Sequence, residues 1–158
     1  MTVATITRHE LEDFYGRYVA CLDDGRFEEW PEFFTEACQY RIVSRENYDA
    51  GLPLSVSDLR SKGALKDRVY GVQDTIFHAP YYQRHIIGPI VVHSQQSTIA
   101  NVEANYLIIR TKRELPSEVF NAGRYIDVVE ATPEGLRFAE KTCVYDSELI
   151  PNSIIYPI

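Results

Sequence analysis

The side chains that could do chemistry are few. The chain has four histidines (His9, His78, His85 and His93) and three cysteines (Cys21, Cys38 and Cys143). A zinc site, a Rieske cluster or a mononuclear oxygenase iron needs such residues clustered at ligand spacing, with a carboxylate completing the iron set. No two histidines lie four apart on one helix beside a carboxylate, and no Cys–His pair has ligand spacing. No metal or cofactor ligand is therefore expected in this chain. A nucleophile elbow of the G-x-S-x-G type is absent, and the 8 glycines are scattered rather than gathered into a phosphate loop. Cys38, among aromatic residues, reads as a small buried hydrophobe. General acid–base chemistry has candidates in Asp74, His78, His85, Asp127 and Asp146. In a dry pocket, burial would tune such a group into a base. Each could equally cap, pair or face solvent, so no catalytic residue is assigned. Tyrosine is over-represented at 11 residues, and Tyr81-Tyr82 stands beside Arg84-His85. Tyr and Arg are enriched at protein interfaces, which makes Tyr81, Tyr82, Arg84 and His85 the candidate subunit interface; local packing at a turn is the other reading.

Positioning these residues falls to a chain of 158 residues, the size of one domain, 1–158. A chain of this length buries roughly 68–70% of its unfolded surface, enough for a core without staples. The net charge of −7 disfavours a nucleic-acid or anionic-membrane partner, which would want a basic patch. Three dispersed cysteines do not make a secreted disulfide framework. Met1–Glu10 lacks the apolar stretch of a signal peptide, and no apolar run reaches the roughly 20 residues of a membrane helix. A cytoplasmic protein is the expectation.

Apolar residues fall at helical spacing first and at strand spacing later. Thr7-Arg8-His9-Glu10 has the form of a capping box, and Leu11, Phe14, Tyr15, Tyr18 and Leu22 follow as one stripe. This predicts a helix over Arg8–Leu22, stopped at Gly25. A short helix is expected over Phe27–Phe34 with Pro31 in its first turn, then a strand over Gln39–Ser44 and a loop over Arg45–Pro53. Leu54–Leu59 is ambiguous. Gly63–Val72 reads as a helix, and His78–Tyr82 breaks the pattern at Pro80. Strands are expected over Arg84–His93, Thr98–Ile108, Val119–Val129 and Leu136–Tyr145. The alternation places Thr98, Ala100, Val102, Ala104, Tyr106 and Ile108 on one face, Phe120, Ala122, Ile126 and Val128 on another, and Leu136, Phe138 and Val144 on a third. The tail Glu148–Ile158, with Pro151 and Pro157, reads as irregular but packed. Helices followed by long strands argue an α+β fold with a mostly antiparallel sheet, curved round the N-terminal helices into a cone. Trp30, Phe33 and Phe34 are expected to plug its mouth, leaving behind them no catalytic pair.

The series Trp30…Phe33-Phe34-Thr35…Tyr40, Asp67-Arg68-Val69, Arg84-His85, Ala122-Gly123-Arg124-Tyr125-Ile126-Asp127, Val144-Tyr145-Asp146-Ser147 and Tyr156-Pro157 resembles the small (beta) subunit of Rieske-type aromatic-ring-hydroxylating dioxygenases. Lys66–Gly71 followed by Arg84–Gly88 is most similar to the branch that serves aromatic carboxylates such as terephthalate, salicylate or anthranilate. The resemblance implies a cone-shaped, nuclear-transport-factor-2-like fold. It implies a non-catalytic structural role in an oxidoreductase of three large (alpha) and three small subunits, the small ones in trimer contact. The Rieske 2Fe-2S cluster, the mononuclear iron and the substrate pocket are then expected in the large subunit, with electrons from NAD(P)H through a reductase. Many cone-fold enzymes carry an acid just before the first strand; here that place is Ala37, beside Glu36. Two alternatives stay open: a stand-alone cone-fold dehydratase or isomerase with an Asp–His base, and a small-ligand binding module.

Overall fold

The computed structural model describes residues 5–150 and 153–158. Helix α1 spans Arg8–Asp23. Its capping box forms as the sequence predicts: the Thr7 hydroxyl accepts from the Glu10 N–H and the Glu10 carboxylate accepts from the Thr7 N–H. Such a cap stabilises a helix by about 1 kcal/mol. Leu11, Phe14, Tyr15, Tyr18 and Leu22 form its buried stripe, and Gly25 leaves it at φ +71. The stretch expected as a short helix is instead a turn followed by a 3₁₀ segment, Trp30–Phe33. Pro31 has no N–H to donate, which suits it to the start of such a segment and not to a longer helix.

Strand β1, Phe34–Ser44, starts earlier than expected. The expected loop after it opens with a short helix, α2 (Arg45–Asp49), because the Ser44 hydroxyl accepts the Asn47 N–H and caps it. The ambiguous stretch contributes β2, Ser57–Leu59. Helix α3, Lys62–Tyr70, is capped by Ser61 and runs into a π-helical turn, Gly71–Thr75. Four long strands follow: β3 (Tyr81–Gln96), β4 (Ile99–Lys112), β5 (Glu118–Thr132) and β6 (Gly135–Tyr145). Strand pairing resumes directly after Pro80, so β3 begins three residues before the expected Arg84. The sheet order is β2-β1-β6-β5-β4-β3. Only β1 and β6 pair in parallel; the other neighbours are antiparallel. This is the α+β cone, with α1 lying in the concave face against β3.

The core fills that concave face. Strand β4 buries Ala100, Val102, Ala104, Tyr106 and Ile108, as the alternation predicts. The phase expected for β5 and β6 is overturned. Ile108 pairs with Asn121 but Ile109 with Val119, so Phe120 is bulged. From there Tyr125, Asp127 and Val129 point inward, while Ala122, Ile126 and Val128 do not. A second irregularity falls between Val128 and Val129, opposite Glu140 and Phe138, and rephases β6: Phe138, Lys141, Cys143 and Tyr145 are buried, and Val144, expected on the face of Phe138, is buried too but alternates with Cys143 and Tyr145. A bulge inserts one unpaired residue and so exchanges the faces beyond it.

Gly123 of β5 sits opposite Tyr145 of β6, and a Cβ there would lie 1.9 Å from the Val144 carbonyl oxygen. Gly123→Ala is expected to unfold the chain or cost on the order of 4 kcal/mol in urea denaturation. Gly16→Ala, mid-helix with nothing within 4 Å of the added methyl, is expected to stabilise by about 0.5–1 kcal/mol.

Candidate functional site

The two bulges bring Asp127 and Lys141 directly opposite each other on the inner face. Lys141 Nζ lies 2.9 Å from Asp127 Oδ2, and both side chains are fully enclosed. The Tyr15 hydroxyl, from α1, donates to the same carboxylate oxygen. The ammonium stands 3.4 Å from the centre of the Tyr125 ring and 4.4 and 4.8 Å from those of Phe138 and Tyr18. It is caged by aromatic faces, whose quadrupoles attract a desolvated cation. Burial pushes the Asp127 carboxyl up, with Lys141 and Tyr15 pulling against it. Burial, reinforced by the Asp127 charge, pushes the Tyr15 phenol well up, so it remains a donor.

A second pair ties the end of α1 to β3. Asp23 accepts from the His85 main-chain N–H and lies 2.6 Å from His85 Nδ1. Both side chains are almost wholly enclosed, and His85 Nε2 has no protein partner. Beside it, an open groove of about 500 Å³ runs between α1 and β3, lined by Tyr15, Val19, His85 and Ile87 among others.

The third feature is the tail. Residues 153–158 enter the mouth of the cone without helix or strand, and Ile158 is fully buried. The Ile158 carbonyl accepts from Tyr18 Oη at 2.9 Å and Tyr40 Oη at 3.0 Å, and its N–H donates to Tyr40 Oη. Arg68 donates to the carbonyls of Ile154 and Ile155. Tyr156 stacks between Phe27 and Tyr81. Trp30 and Phe34 are buried as expected of a plug, with Phe33 only partly so, but the tail shares that place.

The expected interface residues divide by strand alternation. Tyr82 is 80% exposed and Arg84 is exposed too. Tyr81 faces inward against Tyr156 and Phe120, and His85 is buried on Asp23. Among the acid–base candidates only His85 and Asp127 lie in the interior. Asp74 and Asp146 are exposed and His78 bonds Tyr156. The sequence leads to the expectation of no catalytic pair behind the plug; the interior holds two titratable pairs, Asp127–Lys141 and Asp23–His85, each bonded to itself. Sequence reading missed Lys141, Asp23 and Tyr15. The inward phase of Lys141 depends on the bulge, and Asp23 read only as the end of a helix. Glu36, the acid beside Ala37, is exposed and pairs with Lys62. Among the described residues no group of three or more His, Cys, Asp or Glu could hold a metal ion. Cys21 and Cys143 are buried thiols, pushed up by burial to about 11 and about 12.

The chain has a cone-shaped α+β sheet, and residues 4–142 match the SnoaL-like domain model. The chain is 34% identical over 152 residues to the anthranilate 1,2-dioxygenase small subunit of Burkholderia cepacia, covering 96% of this chain and 94% of that protein. It is 27% identical to a beta subunit of the terminal oxygenase component of terephthalate 1,2-dioxygenase from Comamonas sp, covering 97% and 99%. Among solved structures, a chain assigned as the beta subunit of an aromatic-ring-hydroxylating dioxygenase from Novosphingobium aromaticivorans superposes with a TM-score of 0.87 at 34% identity, covering 96% of each. The chain belongs to the SnoaL-like family and, within it, to the small subunits of aromatic-ring-hydroxylating dioxygenases. The resemblance drawn from Trp30 to Pro157 is borne out, cone fold included.

The buried ion pair generates a prediction. Breaking such a pair leaves a lone charge in a dry interior, whereas replacing both partners by apolar residues can be neutral. Lys141→Met is expected to destabilise by about 3–5 kcal/mol. Asp127→Leu combined with Lys141→Met is expected to recover most of that loss in urea denaturation. A double variant no more stable than Lys141→Met alone would show that the pair itself stabilises the fold, and losses that simply add would show that the two side chains are not coupled.

Proposed function

We propose that this chain is the non-catalytic, structural small subunit of a Rieske non-haem iron dioxygenase that hydroxylates an aromatic, carboxylated compound. The carrying observation is the likeness at 34% identity over almost the whole length of a dioxygenase small subunit. The carboxylated substrate class rests on relatives named for anthranilate and terephthalate. The partner is the large subunit, in an assembly of three large and three small chains, with this chain acting as one domain in the cytoplasm.

The donor set of this chain does not suit an iron centre. Cys21, Cys38 and Cys143 are buried apart, His85 is bound to Asp23 and His93 to Glu103. The 2Fe-2S cluster and the mononuclear iron are therefore assigned to the large subunit. No helix among the described residues is long and apolar enough to cross a membrane.

The contact face we assign is the outer side of β3 to β5. There Arg84, Ile109 and Val119 lie in one row, and Ile86, Leu107 and Ala122 in the next. Tyr82, Ile86 and Val119 are 80%, 50% and 63% exposed. Tyr82 and Arg84 act at that face directly. Tyr81 and His85 act by holding β3 to the tail and to α1.

One observation favours the dehydratase or isomerase reading: the Asp23–His85 pair has the form of an oriented base. Its free nitrogen is buried, however, and is not exposed to the open groove that runs beside it.

The test is affinity purification of the tagged chain from its native host. A large iron–sulfur subunit is expected to co-purify in equal amount, and the chain expressed alone is expected to bind no stoichiometric iron. Val119→Asp with Tyr82→Ala is expected to release the large subunit while leaving the melting temperature of the isolated chain within about 2 °C. Purification without such a partner, or stoichiometric iron on the lone chain, would sink the reading.

A further inference from the structure

Three large apolar side chains face water within five residues. Leu52, Leu54 and Val56 are 50%, 73% and 52% exposed, all in the segment that joins α2 to β2. That segment is not loose. The Leu52 N–H donates to the Asn47 carbonyl at 2.8 Å, Asn47 Nδ2 donates to the Leu54 carbonyl at 3.1 Å, and the Val56 N–H donates to the Ile42 carbonyl at 2.8 Å. Its main chain is tied to α2 and β1 while its apolar side chains stand in solvent, where they add nothing to the stability of the lone chain. Grouped apolar exposure of this kind marks an interaction site, and a loop already fixed loses little freedom on binding.

Beside the loop lies a pocket of about 310 Å³, lined by Leu52, Pro53, Arg41, Asp58 and Arg60 among others. The Asp58 carboxylate is already engaged: one oxygen accepts from Gln39 Nε2 at 2.9 Å and the other from Arg60 Nη2 at 2.8 Å. Arg41 is its cross-strand neighbour. Arg41 is drawn toward that carboxylate but makes no hydrogen bond or ion pair among the described residues. Two guanidiniums and one carboxylate leave the pocket with one positive charge, in a chain whose net charge is −7. Arg41 also joins the pocket to the contact face assigned above. It alternates with the buried Tyr40 and Ile42 and so points outward. The row Arg41, Thr142, Ile126, Glu103 and Val91 then crosses the outer side of the sheet from β1 to β3.

We propose that the 50–56 loop and the Arg41 pocket dock a segment of the large subunit in which a carboxylate side chain stands beside large apolar ones. The carboxylate enters the pocket and meets Arg41, whose planar guanidinium matches it with two parallel hydrogen bonds. The apolar residues cover Leu52, Leu54 and Val56. The inference rests on the small-subunit reading proposed above and adds a second point of contact on the same outer surface. A second copy of this chain suits the patch less well, because a twofold pair would bring the unpaired Arg41 of each copy into one contact.

The test uses the tagged chain and the large subunit that it captures from its native host. Amide hydrogen exchange over 50–56 is expected to slow roughly tenfold in the complex relative to the lone chain. Arg41→Glu and Leu54→Ser are each expected to weaken binding of the large subunit roughly tenfold by biolayer interferometry, and to leave the melting temperature of the lone chain within about 2 °C. The loss caused by Arg41→Gln is expected to shrink as salt rises from about 50 to about 500 mM, since salt screens an ion pair. Binding indifferent to these variants, or unslowed exchange over 50–56, would overturn the proposal and leave the small-subunit reading intact. A lone chain that sediments as an oligomer, and that Leu54→Ser turns into a monomer, would give the loop to a second copy and overturn it too. Capture of no large subunit would sink the small-subunit reading and this inference with it.

Discussion

The structure turns on one cross-strand pair, Asp127 opposite Lys141. Two partners without access to water mark the register of β5 against β6. A one-residue slip would send one partner to the outer face and strand the other among aromatic rings. The bulges at Phe120 and beside Val129 are the devices that bring both inward at the same level. Tyr15 then carries the constraint to α1, since its hydroxyl ends on the same carboxylate. One carboxylate thus couples two strands and the helix that fills the cone.

The other interior polar contacts repeat that logic with different elements. Asp23 fastens the end of α1 to β3 through both the ring and the main-chain N–H of His85. Tyr18 from α1 and Tyr40 from β1 meet on Ile158, and Arg68 from α3 holds the tail just before it. Each contact joins elements distant in sequence, and each occupies a group that could otherwise act on a substrate. His85 shows the consequence. Its Nδ1 side is saturated by a carboxylate, while its Nε2 lies buried with no protein partner.

What could be read from the sequence followed from signals local enough to survive folding. The Thr7–Glu10 box and the stripe behind it define α1 because both partners of each contact lie within one or two turns. The alternation of β4 is legible because the strand stays in phase across its buried residues. Strands β5 and β6 were not legible beyond their existence. A bulge depends on the partner strand, and nothing at Phe120 or Ala139 announces it, so Ala122 and Ile126 looked inward and Lys141 looked like a surface lysine. The interface cluster divides between the two faces for a related reason. Tyr81, Tyr82, Arg84 and His85 are neighbours in sequence, but a strand sends alternate side chains to opposite faces. The isoleucines of the tail indicated packing, yet not that the tail's main chain would be received by tyrosines 75 to 140 residues away.

The division between inner and outer faces bears on what a cone of this kind contributes to an enzyme. A fold can host a reaction only where reactive groups meet an approachable volume. Here the interior charges neutralise each other, the phenols point at carbonyls of the same chain, and the mouth is closed by Trp30, Tyr156 and Ile158. The groove between α1 and β3 is approachable, but it is floored by Val19 and Ile87, and the imidazole beside it is committed to Asp23. On the outer face the balance reverses. Tyr82, Ile86 and Val119 present apolar surface on a sheet stiffened from within by the Asp127–Lys141 pair and the α1 contacts. Rigidity of that sheet lowers the ordering cost of binding another chain. The inward chemistry and the outward surface are then two sides of one arrangement: polar groups spent on holding α1 inside the cone keep rigid the face that a larger partner can read.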